Sequence, residues 1–274
     1  MTHPEFRADD PPALIADAVH RFGCALVRGL FPAALAARWR ERATRNFALL
    51  DLLKPDSQAS DLDVGFLDES PREVEVEGRG IKTSVAIWSA IDAGFYAQNP
   101  GFFQHSVLHQ VAASALVPVL RAVFDGPIAF SHDASRLRRH APAIAHQRLH
   151  LHQDAASADY GERLVVTCWT PFMDCGKDAP GLQVYPRRLD TLLPTKRAKW
   201  HAREDALQPF KADMWKPVFA AGDALLFTAN TLHGTHLTDD MHAWRYSLDV
   251  RAHRPGLGPR FMDGQPDFSV AADI

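Results

Sequence analysis

The sequence predicts a mainly β chain of the α+β class, with a helical N-terminal part over about residues 1–125 and a β core over about 126–254. Three observations carry this prediction. Apolar residues recur at helical spacing as far as Phe124. Short β-type runs bounded by Gly, Pro and Asp begin after Pro127. No repeat or low-complexity linker separates the two parts. The whole chain, 1–274, is therefore expected to be one domain.

Ala13–Arg21 reads as a helix because Leu14, Ile15, Ala18 and Val19 fall on one face, and Phe22-Gly23 ends it. Cys24–Arg28 is a short strand broken by Gly29. Phe31–Leu50 is a second helix carrying Leu35, Trp39 and Phe47 on or near one face. Leu53–Gly80 is polar and acidic, so an irregular loop or flap is expected. Phe102–Phe124 is mostly helical. The β core then takes Ile128–His132, Ile144–Leu151, Leu164–Thr170, Leu182–Tyr185, Ala224–Phe227 and Trp244–Val250 as strands, a spacing suited to an antiparallel sandwich or barrel. Between Tyr185 and Val218 lies a basic stretch with Arg187, Arg188, Lys196, Arg197, Lys199 and Arg203. It is either a solvated excursion or a basic lid over a site for an anion.

Composition narrows the function classes. Thirty basic against thirty-three acidic residues leave a net charge of −3, which argues against nucleic acid as the main partner. The three cysteines, Cys24, Cys168 and Cys175, form no CxxC pair, so neither a disulfide framework nor a structural zinc site is expected. The opening MTHPEFRADDPPA lacks the apolar run of a signal peptide, and apolar stretches such as Ala113–Leu120 are too short to span a bilayer. A soluble cytoplasmic protein acting on a small molecule, without a membrane partner, is expected; the oligomeric state is not legible. Fourteen histidines direct attention to metal chemistry.

The segment from His146 to Asp154 is the most informative. On a regular strand His146, Arg148, His150, His152 and Asp154 would share one face, with Leu149 and Leu151 on the other. His152-x-Asp154 could bring an imidazole and a carboxylate to one metal, and a distant second histidine would complete a facial triad with three open positions. His233, after the Ala224–Phe227 strand, is the candidate for that second histidine, and His236 is its rival. A His150/His152 pair of cupin type is the alternative to His152/Asp154. In Arg245–Arg251, Arg245, Ser247, Asp249 and Arg251 share a face. An arginine on the inner side of a β core is costly without an anion. A dicarboxylate held by its two parallel N–H groups would satisfy Arg245, with Ser247 as a further donor.

Taken together, His152-Gln153-Asp154, the stretch GDALLF…LHGT over 222–235 and RYSLDVR over 245–251 resemble the phytanoyl-CoA dioxygenase family of Fe(II)- and 2-oxoglutarate-dependent oxygenases. The opening strand with its flanks, Ile15 to Phe31, looks similar too. The resemblance implies a double-stranded β-helix core of the jelly-roll, cupin-like kind. It implies Fe(II) held by His152, Asp154 and His233, with 2-oxoglutarate and O2 as co-reactants. Arg245 matches the residue gripping the distal carboxylate of 2-oxoglutarate, Thr235 a hydroxyl position after the distal histidine, and Trp169 an aromatic residue lining the cosubstrate pocket. The implied reaction hydroxylates an unactivated C–H bond of a small-molecule metabolite and releases succinate and CO2. The family's Pro-Gly-Ser-His ending after the third core strand is replaced here by Pro186-Arg187-Arg188-Leu189. Asp154 stands where related halogenases carry a small residue that leaves room for halide, which argues against halogenation. A cupin-like isomerase or ligand-binding module without oxygenase activity is the competing reading, and it gives Arg245 and Ser247 no role.

Other polar residues are expected to do less. His236, His242 and His253 read as surface histidines, and Asp249 and Arg251 as an ion pair at a strand end. Arg136, Arg138, Arg139 and His140 read as an exposed β edge in preference to a substrate-anion contact. Arg148 is the candidate substrate contact, and Cys168 and Cys175 read as inert thiols.

Overall fold

The computed structural model describes residues 3–49, 72–76, 79–83, 103–131, 136–140, 142, 150–157, 160, 163–196, 201–260 and 267–270. The chain opens with β1 (Glu5–Arg7), α1 (Pro12–Phe22), β2 (Cys24–Arg28) and α2 (Ala33–Leu49). Pro12 suits the first turn of α1 because its missing N–H has no intrahelical partner there. Gly23 ends the helix at φ 78°, donating its N–H to the Val19 carbonyl. β3 (Arg72–Val76) and β4 (Arg79–Thr83) form an antiparallel hairpin, so part of the stretch expected to be irregular is regular; its remainder lies outside the described residues. α3 (Phe103–Ala112) and α4 (Leu116–Phe124) follow.

The second half supplies β5 (Ala129–Ser131), β6 (Arg136–His140), α5 (Asp154–Ser157), β7 (Val166–Pro171), β8 (Gly181–Val184), α6 (Glu204–Leu207), β9 (Ala224–Thr228), β10 (His233–His236), β11 (Arg245–His253) and β12 (Asp267–Ser269). The large sheet runs β1-β2-β9-β7-β11-β5-β12, with β6 also paired to β11; a small sheet pairs β8 with β10. Isolated bridges from His152 to His233 and from Val184 to Trp215 widen the small sheet on both sides. Most of the expected Ile144–Leu151 strand lies outside the described residues.

Alternation along the large sheet decides what faces the helices and what faces the site. Val166, Cys168, Leu226, Tyr246, Leu248 and Val250 pack with Ile15, Val19, Leu120 and Phe124 of α1 and α4 into the main core. The opposite face carries Leu26, Trp169, Leu225 and Phe227, which pack with Leu182 and Val184 of the small sheet. On β11 the same alternation leaves Arg245, Ser247, Asp249 and Arg251 on that second face, all buried. Burying each large apolar side chain stabilises by roughly 1.5–3 kcal/mol, so the helical layer fixes the large sheet and the sheet fixes the site.

The turn into β9 is held by Gly222. Its N–H donates to the Pro171 carbonyl at 3.0 Å, and its own carbonyl accepts from Phe31 at 2.9 Å. It sits at φ +87°, and an added Cβ would fall well inside contact with the Phe31 carbonyl oxygen. Gly222→Ala should therefore cost about 3 kcal/mol, from left-handed strain plus overpacking, read as a lower urea midpoint with an unchanged m-value. Among the described residues no helix is long and apolar enough to cross a membrane.

Candidate metal centre

His152 and His233 face one another because their backbones exchange N–H···O bonds in both directions, each 2.9 Å. A bridge pair of this kind puts both side chains on one face, and the imidazole centroids lie 4.2 Å apart. Each ring is oriented the same way. His152 Nδ1 lies 2.7 Å from the His150 carbonyl, and His233 Nδ1 lies 2.9 Å from the Thr231 carbonyl. A carbonyl can only accept, so both Nδ1 atoms carry hydrogen and both Nε2 lone pairs point at the shared space.

Asp154 completes the group. Its Oδ1 lies 3.5 Å from His152 Nε2 and 3.8 Å from His233 Nε2. Ligand atoms about 2.1 Å from one ion and at right angles are roughly 3 Å apart, so a small inward movement closes this set around a metal. His152, Asp154 and His233 are all buried, with donor atoms within 4.8 Å of one another; among the described residues they form the one cluster of metal-ligating type. His152 and Asp154 do not lie on one regular strand, as the alternation of the sequence suggested. His152 makes isolated bridges and Asp154 opens the short helix α5. Gln153 between them sets the bend: its side chain donates to the Thr191 and Asn230 carbonyls and accepts from Leu193 N–H.

The second carboxylate oxygen is held from behind. Asp154 Oδ2 accepts from Arg251 Nη2 at 3.2 Å and from Thr167 Oγ1 at 3.4 Å. Burial alone would raise the carboxyl pKa. The Arg251 charge, with smaller help from the neighbouring His152 and His233 rings, outweighs it and holds the group well below the usual carboxylate range. Burial, reinforced by the neighbouring His152, lowers His233 to about 4 against the pull of Asp154. A base whose folded pKa lies below its unfolded value is protonated more readily on unfolding. Its contribution is complete above pH about 6.5 and drains away as pH falls toward 4. Metal-free protein should thus lose about 3 kcal/mol across that window, and His233→Asn should flatten the slope, as read by urea melts at stepped pH.

Arg245, Trp169 and Thr235 line the same pocket as the triad, together with Leu182, Phe227, Arg138, Asp249 and Arg251. Arg245 Nη1 donates to the Pro180 and Gly181 carbonyls at 3.1 and 3.0 Å, and Nη2 lies 2.7 Å from His140 Nδ1. Its guanidinium carbon stands 5.2 Å above the Trp169 ring. No carboxylate pairs with it among the described residues, its Nε has no hydrogen-bond partner, and burial pulls its pKa down to about 10. Ser247, on the same face, also buries a hydroxyl without a partner. The enclosed space is small, about 30 Å³, enough for an ion and a water. Wider hollows of about 320 and 680 Å³ near His20 and Arg163 hold no metal-ligating cluster, so chemistry rather than size marks the site.

The two rival histidines stay outside the cluster, and several other sequence expectations need correction. His236 alternates with Thr235 on β10 and stands outside the cluster, and His150 is exposed and contributes its carbonyl. Asp249 and Arg251 do not pair with each other: Asp249 takes Arg138 at 2.6 Å and Arg251 takes Asp154. β6 is not simply a solvated run: β11 is its one partner among the described residues, but Arg138 lines the pocket and buried His140 meets Arg245. His253 is fully buried. In the basic stretch Arg187, Arg188 and Arg203 are paired on the surface with Asp213, Asp190 and Asp205, as a solvated excursion would have them; Arg197 and Lys199 lie outside the described residues. Arg148 also lies outside them. The cysteines are buried, and burial pushes Cys24 and Cys175 up to about 12, which keeps both thiols protonated and inert.

Sequence reasoning missed Arg138, His140 and the carboxylate-holding role of Arg251. The signal was period two: Arg138 and His140 alternate on β6 as Arg245 to Arg251 do on β11.

Known structures share this architecture. AviO1 from Streptomyces viridochromogenes Tue57 is 18% identical, with 89% of this chain and 96% of that chain covered and a TM-score of 0.56. EctD from S. alaskensis with bound Fe is 16% identical, covering 90% and 78%, TM-score 0.57. The epimerase SnoN, in complex with Fe3+, alpha ketoglutarate and nogalamycin RO, is 14% identical, covering 93% and 90%, TM-score 0.58. No curated protein sequence matches the chain. The family profile described as Phytanoyl-CoA dioxygenase (PhyH) matches residues 19–241, most of the sequence, and the chain belongs to that family.

Proposed function

We propose that this chain is an Fe(II)- and 2-oxoglutarate-dependent dioxygenase that hydroxylates an unactivated C–H bond of a small-molecule metabolite. Residues 1–274 form its single domain, and the two sheets are the halves of a double-stranded β-helix. The observation that carries the reading is one pocket holding two complementary features. A buried His-Asp-His donor set has both Nδ1 atoms tied off, and the same pocket holds a buried arginine with no carboxylate partner among the described residues. Two imidazoles and a carboxylate suit Fe(II) and leave three positions for other ligands.

His152, Asp154 and His233 are the metal ligands in this reading. Arg251 fixes Asp154 by its Oδ2, leaving Oδ1 for the ion. Arg245 takes the distal carboxylate of 2-oxoglutarate, replacing weak contacts to carbonyls with a charge-assisted pair, and Ser247 supplies the missing donor. Trp169 and Thr235 wall the cosubstrate, while Leu182 and Phe227 keep water from the metal. When bound, iron and 2-oxoglutarate activate O2 at the expense of oxidative decarboxylation to succinate and CO2. SnoN is an epimerase and SnoK a carbocyclase of similar fold, so the outcome at carbon is decided by product analysis. A metal-binding cupin-like protein without oxygenase activity needs no anion opposite its metal, and the buried Arg245 speaks against it. The test is anaerobic addition of 2-oxoglutarate to the Fe(II) protein: a weak visible band is expected, and its absence would sink the reading. A substrate screen by succinate release, with uncoupled turnover subtracted, then separates hydroxylation from other oxidations.

A further inference from the structure

We infer that Arg138 is the substrate contact of this pocket and that the substrate presents a single carboxylate to it, an inference that rests on the 2-oxoglutarate reading above. Three arginines and two aspartates line the pocket. Arg251 is occupied by Asp154, and Arg245 faces the place of the cosubstrate carboxylate. Arg138 differs from both. It gives Asp249 Oδ2 its Nε at 2.6 Å and has no other side-chain partner among the described residues, which leaves both terminal nitrogens. Its side chain is 26% exposed against 10% for Arg251, which places it at the rim, where a molecule entering from solvent meets it first.

The charge balance points to a monoanion. A divalent metal and a dianionic cosubstrate cancel, and histidines ligate as neutral rings. The three arginines then exceed the two aspartates by one positive charge. An uncompensated cation is costly in a pocket whose charged lining is mostly buried, so a substrate with one negative charge stabilises the filled site, whereas a cationic one adds to the surplus. A carboxylate also matches the planar edge formed by the two terminal nitrogens. A phosphate dianion would overshoot the balance. Asp249 Oδ1, buried beside Arg138 without a hydrogen-bond partner, repels a second anionic group.

The test uses full-length protein loaded anaerobically with Fe(II) and 2-oxoglutarate. The probes are short and medium straight-chain and aromatic monocarboxylic acids, their primary amides and the corresponding phosphate monoesters. The readouts are perturbation of the visible band and the shift in unfolding temperature. At least one acid should act at a concentration about tenfold or more below its amide and its phosphate ester. Arg138→Gln should erase the acid-over-amide difference, and Arg138→Lys should retain most of it. Equal action of acids and amides, stronger action of phosphate esters, no response to any acid, or an unchanged preference in Arg138→Gln would each overturn the inference. If no visible band forms with 2-oxoglutarate in wild type, the dioxygenase reading itself has failed, which is a different result from a band that forms and ignores every acid.

Discussion

Asp154→Ala should lose the metal and much of the protein's stability, whereas His152→Ala should lose the metal and stay folded. The two ligands differ in what they leave behind. Removing His152 deletes a ring whose Nδ1 bonds the His150 carbonyl, and no charge is stranded. Removing Asp154 strips Arg251 of the carboxylate it pairs with in a largely buried position. Breaking a buried pair by deleting one partner costs roughly 3–5 kcal/mol, because the remaining charge stays uncompensated. Iron content and urea midpoints of the two variants separate the effects. The double variant Asp154→Ala/Arg251→Met should regain most of the stability and none of the metal. If Asp154→Ala binds iron stoichiometrically, the triad is wrong. If it is as stable as His152→Ala, Arg251 does not hold a charge that matters.

The alternation of RYSLDVR was enough to place Arg245, Ser247, Asp249 and Arg251 on one face, because successive side chains of a strand point to opposite sides; both sides of this strand are buried. The same rule separated His233 from His236 once β10 was known to be a strand. The geometry of Asp154 could not be read this way. Its bend depends on Gln153 reaching the carbonyls of Thr191 and Asn230, residues 38 and 77 positions away, and no local pattern encodes such contacts. Arg138 and His140 were misplaced for a related reason. A run of basic residues looks solvated until its register against β11 is known, and that register pairs Arg138 with Ser247 and His140 with Arg245 across more than a hundred residues. Asp249 and Arg251 share a face two residues apart, yet each is taken by a partner from a distant segment. Local spacing fixed the direction of these side chains, while tertiary packing fixed their partners.

Replacing Arg245 should weaken 2-oxoglutarate binding by well over tenfold while leaving iron binding near normal. Arg245 is 1% exposed, bonds only to two carbonyls and one imidazole nitrogen, and has no carboxylate among the described residues. A guanidinium kept this way has not recovered its lost hydration, so an arriving carboxylate gains a nearly full charge-assisted interaction. Truncating one partner of such a buried pair costs roughly 2–5 kcal/mol, which at 1.4 kcal/mol per tenfold predicts a rise in the dissociation constant of about thirtyfold or more for Arg245→Ala. Arg245→Lys keeps a cation but loses the fork and the stacking on Trp169, and should fall between wild type and alanine. The structural alternative, in which Arg245 only balances Asp249, is disfavoured because Asp249 already pairs with Arg138 at 2.6 Å. The two accounts differ in one measurement. If Arg245 serves only the fold, Arg245→Ala lowers the unfolding temperature and leaves the 2-oxoglutarate titration of the iron-loaded protein unchanged. If it is the anchor, the titration moves and the iron content does not; equal affinities for wild type and Arg245→Ala would remove the anchor and with it the strongest reason for assigning 2-oxoglutarate to this pocket.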